Sequence, residues 1–210
     1  MSYDYIFKLL IIGTMRTGKS CIVDRFSRNR FNCVHNSTIG VDFSSVLTTI
    51  NNSDRIKIHI WDTAGNRAFG PIINTYYRGV AGSIIVFDIT NRNSFNAIND
   101  WYSQIQEFSD NKNMPVLLVG NKTDLKQKRN VSYEEAQMVA KTLNMIYYET
   151  SAKNDENIHE CFHALIKEIY ENMDKEKLGP GIRPHFSQEK QKLIKKNTNN
   201  EVSRCCCCIS

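Results

Sequence analysis

The octapeptide GTMRTGKS at residues 13–20 constrains this chain more than any other stretch. It fits the pattern G-x-x-x-x-G-K-[ST]. It also stands in the setting that pattern demands, after the apolar run YIFKLLII at 5–12 and before a helix-period segment at 19–28. Gly13 and Gly18 let the backbone curl so that successive N–H groups face an anion. The helix starting near Lys19 adds its positive end. Lys19 brings a formal charge to the outer phosphates, and the Ser20 hydroxyl is placed to ligand Mg²⁺. The candidate phosphate-binding residues are Gly13, Thr14, Met15, Arg16, Thr17, Gly18, Lys19, Ser20 and Cys21. This loop predicts a nucleoside triphosphate site and leaves the base open.

The rest of the pattern predicts an α/β fold. Residues 41–50 alternate apolar and polar, and RIKIHIW at 55–61 puts Ile56, Ile58 and Ile60 on one face; the turn residues 51–54 between them make a hairpin. Short apolar runs at 83–88 and 115–121 read as buried parallel strands, and 145–149 as a weaker sixth. Helices are expected over 94–108, with Phe95, Ile98, Tyr102 and Ile105 inward, and after the capping box at Ser132. A third, over 157–170, carries one stripe from Ile158 to Tyr170. Strand and helix in alternation give a six-stranded, mostly parallel sheet with helices on both faces and one antiparallel strand.

Base selection points to NKTD at 121–124, at the carboxyl end of a predicted strand, where open α/β sheets bind ligands. The Asp124 carboxylate can accept from both the ring N–H and the exocyclic amine of guanine. Adenine offers no such pair, and the unpaired carboxylate would be costly. Asn121 and Lys122 can brace the loop.

With these residues in place, the chain resembles the Ras-like small GTPases and, within them, the Rab family. The resemblance covers about residues 5–173 and the terminus. It rests on GTMRTGKS, STIGVDF (37–43), WDTAG (61–65), YYRG (76–79), FDIT (87–90), NKTD, ETSAK (149–153) and the final CCIS. It implies a P-loop small GTPase domain at 1–173 that works as a GTP/GDP switch, with GTP or GDP as ligand and Mg²⁺ as cofactor. It implies that Ser20, Thr38 and Asp62 hold the metal and that Thr38 and the Gly65 N–H sense the γ-phosphate. Lys19, Thr38, Gly65 and Asn66 would carry hydrolysis. Phe31, Asn121, Lys122, Asp124, Ser151, Ala152 and Lys153 would form the guanine pocket. Effectors would meet Ile39, Gly40, Val41, Asp42, Phe43, Trp61 and Tyr76. Ordinary core packing is the competing reading for Phe43, Trp61 and Tyr76. The implied partners are an exchange factor, an activating protein, effectors and a prenyl-binding escort, around a monomer that serves vesicle traffic.

Several residues depart from the family pattern. Met15 and Arg16 stand where small residues are usual, and Asn66-Arg67 where Gln and Glu are usual. The glutamine orients the attacking water. Asn is shorter by about 1.5 Å, one C–C bond, and misplacement near 1 Å costs ~100-fold in rate. Met15 would crowd an incoming arginine finger, worth roughly 10³–10⁵ in rate. Arg16 either aids phosphate binding or points to solvent. Slow hydrolysis is expected, and a GTP-loaded scaffold that has lost turnover is the alternative. A small P-loop kinase would share the phosphate loop but lack WDTAG, NKTD and ETSAK.

The charge is uneven. The chain carries +5 in all, but residues 174–210 hold eight Lys or Arg against four Asp or Glu, so the body is nearly neutral. That argues against a nucleic-acid footprint. Residues 174–204, broken by Gly179-Pro180-Gly181 and Pro184, read as a flexible basic linker. The apolar start contains Lys8 and lacks a basic leader, so it reads as a strand and not a signal peptide. Nothing approaches ~18 uninterrupted apolar residues. Cys205–Cys208 point to a reducing compartment and a modified end. The C-a-a-X ending nominally favours farnesyl, whereas the Rab resemblance favours geranylgeranyl on Cys207 and Cys208. Two lipids would anchor the chain stably to a cytoplasmic membrane face, with a cytosolic pool.

Overall fold

The computed structural model describes residues 3–32, 38–51, 54–65, 73–173 and 182–184. Strand β1 (Tyr5–Ile12) leads through the phosphate loop into α1 (Lys19–Arg28). The hairpin β2 (Val41–Ile50) and β3 (Asp54–Thr63) follows, paired antiparallel from Val41↔Thr63 to Ile50↔Asp54. A 3₁₀ turn at Asn74–Tyr77 precedes β4 (Gly82–Asp88). Helices α2 (Arg92–Asn96) and α3 (Ile98–Phe108), strand β5 (Val116–Asn121), helix α4 (Tyr133–Thr142), strand β6 (Ile146–Thr150) and helix α5 (Ile158–Asn172) complete the body.

The sheet order is β2-β3-β1-β4-β5-β6. Along this six-strand path every neighbouring pair but β2–β3 is parallel, so five strands end at the same edge. Alternate residues of β1 feed two cores. Phe7, Leu9 and Ile11 join a cluster with α1 and α5, while Leu10 and Ile12 join one with α2, α3 and α4. Layers on both faces explain why β4 and β5 are buried at every position. The α5 stripe is buried throughout, from Ile158 to Tyr170, as its 3.6-residue period predicts.

Three expectations need correction. The helix expected over 94–108 starts earlier and divides at Ala97. The Asn91 side chain accepts from the Asn93 and Ser94 N–H groups, so it caps α2 from Arg92, and α3 begins anew after Ala97. On α3, Trp101 is the buried aromatic and Tyr102 only half-buried. The linker expected over 174–204 is interrupted by a seventh strand, β7 (Ile182–Pro184), antiparallel to Tyr5–Phe7 of β1, so the sheet has two antiparallel strands. The reason lies in the register. β4 pairs with β1 only from Leu9 onward, which leaves the first half of that β1 edge free for β7.

No helix among the described residues is long and apolar enough to cross a membrane.

Candidate functional site

The five parallel strands deliver their following loops to one end of the sheet. β1 delivers Gly13, β3 delivers Gly65, β5 delivers Asn121-Lys122, and β6 delivers Ser151. The phosphate loop wraps tightly there. Gly13 has φ 137° and Gly18 φ 94°. A Cβ on Gly13 would lie 2.2 Å from the Val86 carbonyl oxygen, and one on Gly18 would lie 2.3 Å from Asn121 Nδ2. Both positions therefore require glycine on two counts, conformation and space. Arg16 adopts φ 64° with a full side chain, a left-handed conformation that costs roughly 1–2 kcal/mol in a non-glycine residue. Its side chain is exposed, which favours the solvent-facing of its two readings, and its carbonyl accepts from Lys122 Nζ at 2.7 Å. Met15 is also exposed.

Lys19 is buried at the loop's centre, and its ammonium donates to the Gly13 carbonyl at 2.8 Å and the Thr14 carbonyl at 3.1 Å. Burial pulls its pKa down from 10.5 to about 8, against the opposing pull of Asp62. Thr17 is buried and its hydroxyl donates to the Thr14 carbonyl at 2.9 Å. Cys21 is half-buried in the first turn of α1, where burial first, and Asp24 next, raises its thiol pKa.

The three expected metal ligands converge. Ser20 Oγ donates to Asp62 Oδ2, so the 2.8 Å contact between Ser20 Oγ and Thr38 Oγ1 has Thr38 as donor. Asp62 is 3% exposed, and its Oδ1 is the one buried side-chain polar atom without a partner among the described residues. Burial raises its carboxyl pKa to about 6, although the Ser20 hydroxyl and the Lys19 ammonium pull it down. A buried, unpartnered carboxylate oxygen beside two hydroxyl oxygens is a donor set that suits a hard cation such as Mg²⁺.

Gly65 packs directly on the loop. A Cβ there would lie 2.4 Å from the Met15 nitrogen and 2.5 Å from the Gly13 oxygen. The Ala64 N–H donates to the Gly40 carbonyl at 2.8 Å, which ties the end of β3 to the segment after Thr38. Asn66 and Arg67 lie outside the described residues, as do Cys207 and Cys208.

The base loop is built around Asn121. Its Nδ2 donates to the Thr17 carbonyl at 2.9 Å, while its Oδ1 accepts from the Thr150 hydroxyl at 3.2 Å and the Ala152 N–H at 3.4 Å. Lys122 pairs with Asp88 at 2.6 Å. The Ser151 hydroxyl donates to Asp124 Oδ1 at 2.7 Å and fixes the rotation of that carboxylate. Lys153 is exposed, and Phe31 is half-buried against the α1–α5 core.

Phe43, Trp61 and Tyr76 form a row, with ring centroids 5.1 and 5.0 Å apart. Phe43 is 44% exposed, while Trp61 and Tyr76 pack half-buried on the core. Ile39 is 86% exposed, Asp42 is exposed, and Gly40 and Val41 are half-buried.

Spacing does not reveal several residues that hold the site together. Arg25 of α1 donates to the Ala152 carbonyl at 3.0 Å and the Lys153 carbonyl at 3.2 Å. Arg129 makes two bonds to Glu149, at 2.6 and 2.7 Å. Trp101 Nε1 donates to Thr14 Oγ1 at 3.4 Å. All are long-range pairs, and only an Arg or Trp near a motif could have hinted at them.

The glycine-bounded loop around Lys19, the Ser20–Thr38–Asp62 oxygen cluster and the loop after β5 thus share one end of the sheet. A model of the protein family described as the Ras family matches residues 8–171. This chain belongs to the Ras family and is a small GTPase, a switch between GTP- and GDP-bound forms.

Proposed function

We propose that the chain is a Rab-type switch, lipid-anchored to a cytoplasmic membrane face and serving vesicle traffic, with slow intrinsic hydrolysis. The observation that carries the nucleotide reading is Asn121. Its amide donates to the Thr17 carbonyl of the phosphate loop while its oxygen accepts from the Ala152 N–H, which ties together the two loops one nucleotide would span. Asp124 reads the guanine edge, Lys19 draws the outer phosphates, and the N–H groups of 13–21 line them. Ser20, Thr38 and Asp62 would hold Mg²⁺, which supplies charge neutralisation between the phosphate oxygens when bound. Thr38 and Gly65 are the residues that loss of the γ-phosphate would release.

The Rab assignment rests on STIGVDF, YYRG and the cysteine terminus, and on the partly exposed row of Phe43, Trp61 and Tyr76 beside Ile39 as an effector face. An exchange factor reloads the switch, an activating protein discharges it, and an escort holds the prenylated tail. Deleting residues 205–210 is expected to release the protein from membranes with guanine nucleotide affinity unchanged. Fractionation of cells expressing the truncation checks this, and retained membrane association contradicts it.

Slow hydrolysis rests on Asn66 and Met15. In single-turnover assays Asn66→Gln should accelerate GTP cleavage about tenfold or more, given the ~100-fold sensitivity to misplacement of catalytic groups. An unchanged rate removes the argument. The second reading, a GTP-loaded scaffold, is favoured by the same two residues. The nucleotide carried by freshly purified protein separates them, GDP for the cycling switch and GTP for the scaffold.

A further inference from the structure

We propose that Trp101 is a positioning residue for the phosphate loop, acting through Thr14. It rests on the nucleotide reading above and adds a part which no phosphate-loop motif contains. Trp101 stands on α3, 5% exposed, packed in the same core cluster as Ile98 and Ile105. Its ring is therefore fixed by packing. A buried indole N–H needs an acceptor, and the Thr14 hydroxyl is the one it meets, at 3.4 Å.

Thr14 faces two ways. Its side chain is held from outside the site by α3. Its carbonyl, inside the site, accepts from the Thr17 hydroxyl at 2.9 Å and from the Lys19 ammonium at 3.1 Å. A shift of Thr14 therefore moves an acceptor that aims the lysine. The same helix also reaches the segment that follows β3. Gln104, three residues along from Trp101, accepts from the hydroxyl of the fully buried Tyr77 at 3.1 Å. Helix α3 thus braces the phosphate loop at one point and the 3₁₀ turn at Asn74–Tyr77 at another. A displacement of either is felt by the other through a rigid element.

The test is release of a fluorescent GDP analogue from the full chain, chased with excess GDP. Trp101→Phe keeps most of the ring volume and removes the donor, and Thr14→Val removes the acceptor at constant shape. Each should speed release about five-fold, the worth of one neutral hydrogen bond. The double variant should be no faster than either single one, and Thr14→Ser, which keeps the hydroxyl, should release GDP more slowly than Thr14→Val. Additive effects in the double variant, or equal acceleration by Thr14→Ser and Thr14→Val, overturn the proposal. If Trp101→Phe does not fold, the indole N–H resonance of Trp101, assigned with Trp61→Phe, decides. It should move in Thr14→Val and hold in Thr14→Ser, and an unmoved signal in Thr14→Val overturns the bond. Failure of the wild-type chain to bind GDP would instead sink the nucleotide reading itself.

Discussion

Lys19 and Asp62 show how burial sets the chemistry of single residues here. Each is nearly out of water, and in each the cost of burying charge outweighs the attraction of the other. The result is an ammonium that loses its proton near pH 8 and a carboxyl that gains one near pH 6. Both groups are uncomfortable as charges until something else arrives, which is the condition for gripping a phosphate and a cation. For Lys19 the folded pKa of about 8 lies below the ordinary 10.5. Between those values the unfolded chain holds a proton that the folded one has released. Burying Lys19 therefore costs stability in full below pH 8, and the cost fades as pH rises through that window. Nucleotide binding runs the other way, because phosphates favour the charged lysine. GDP affinity should be flat from pH 7 to 8 and then weaken by about tenfold per pH unit. Titration calorimetry across pH 7–10 checks it. An affinity that stays level to pH 9.5 would mean that Lys19 keeps its charge in the free protein.

At the scale of elements, the helix pair behind the phosphate loop determines how firmly the loop is backed. Phe26 of α1 stacks on Phe162 of α5 with centroids 3.9 Å apart and planes within 5°. Phe162 is fully buried among residues of β1 and β3 as well. Phe162→Ala should cost about 3–5 kcal/mol, the range for a large aromatic removed from a packed core. It should also loosen α1, whose first turn carries Lys19 and Ser20. Denaturant unfolding of the GDP-bound protein measures the loss, and a change below about 1 kcal/mol would show that the site collapses to fill the gap.

The elements also show what was legible in the residues. All six main strands lie where the sequence places them, β2 and β3 by their period of two and the others by short apolar runs bounded by turn residues. The α5 stripe is equally plain. Helix α3 is not. Asn91 caps the earlier helix, and the restart after Ala97 buries Trp101 more deeply than Tyr102. The phosphate and base loops could be read from their motifs, since close backbone approach restricts the residue types. Arg25, Arg129 and Trp101 act over more than a hundred, 20 and 87 positions respectively, and no spacing rule spans such gaps.

The whole molecule has two poles. The loops after β1, β3, β5 and β6 sit at one end of the sheet, and β7 pairs with the first residues of β1 at the other. Because β7 runs antiparallel, with Ile182 opposite Phe7 and Pro184 opposite Tyr5, it points away from the nucleotide loops. Three residues with one apolar side chain carry no readable period, so this strand was hidden in what looks like linker. It forms because the β1 edge is open before Leu9, and because Ile182 packs half-buried against the core with Tyr5. Ile182→Asp should therefore lower stability by about 1–2 kcal/mol, less than full burial of an isoleucine would give. Amide exchange over residues 5–7 should speed up, while GDP affinity at the far pole stays the same. Exchange at those amides that is as slow in Ile182→Asp as in wild type would show that β1 needs no cover there.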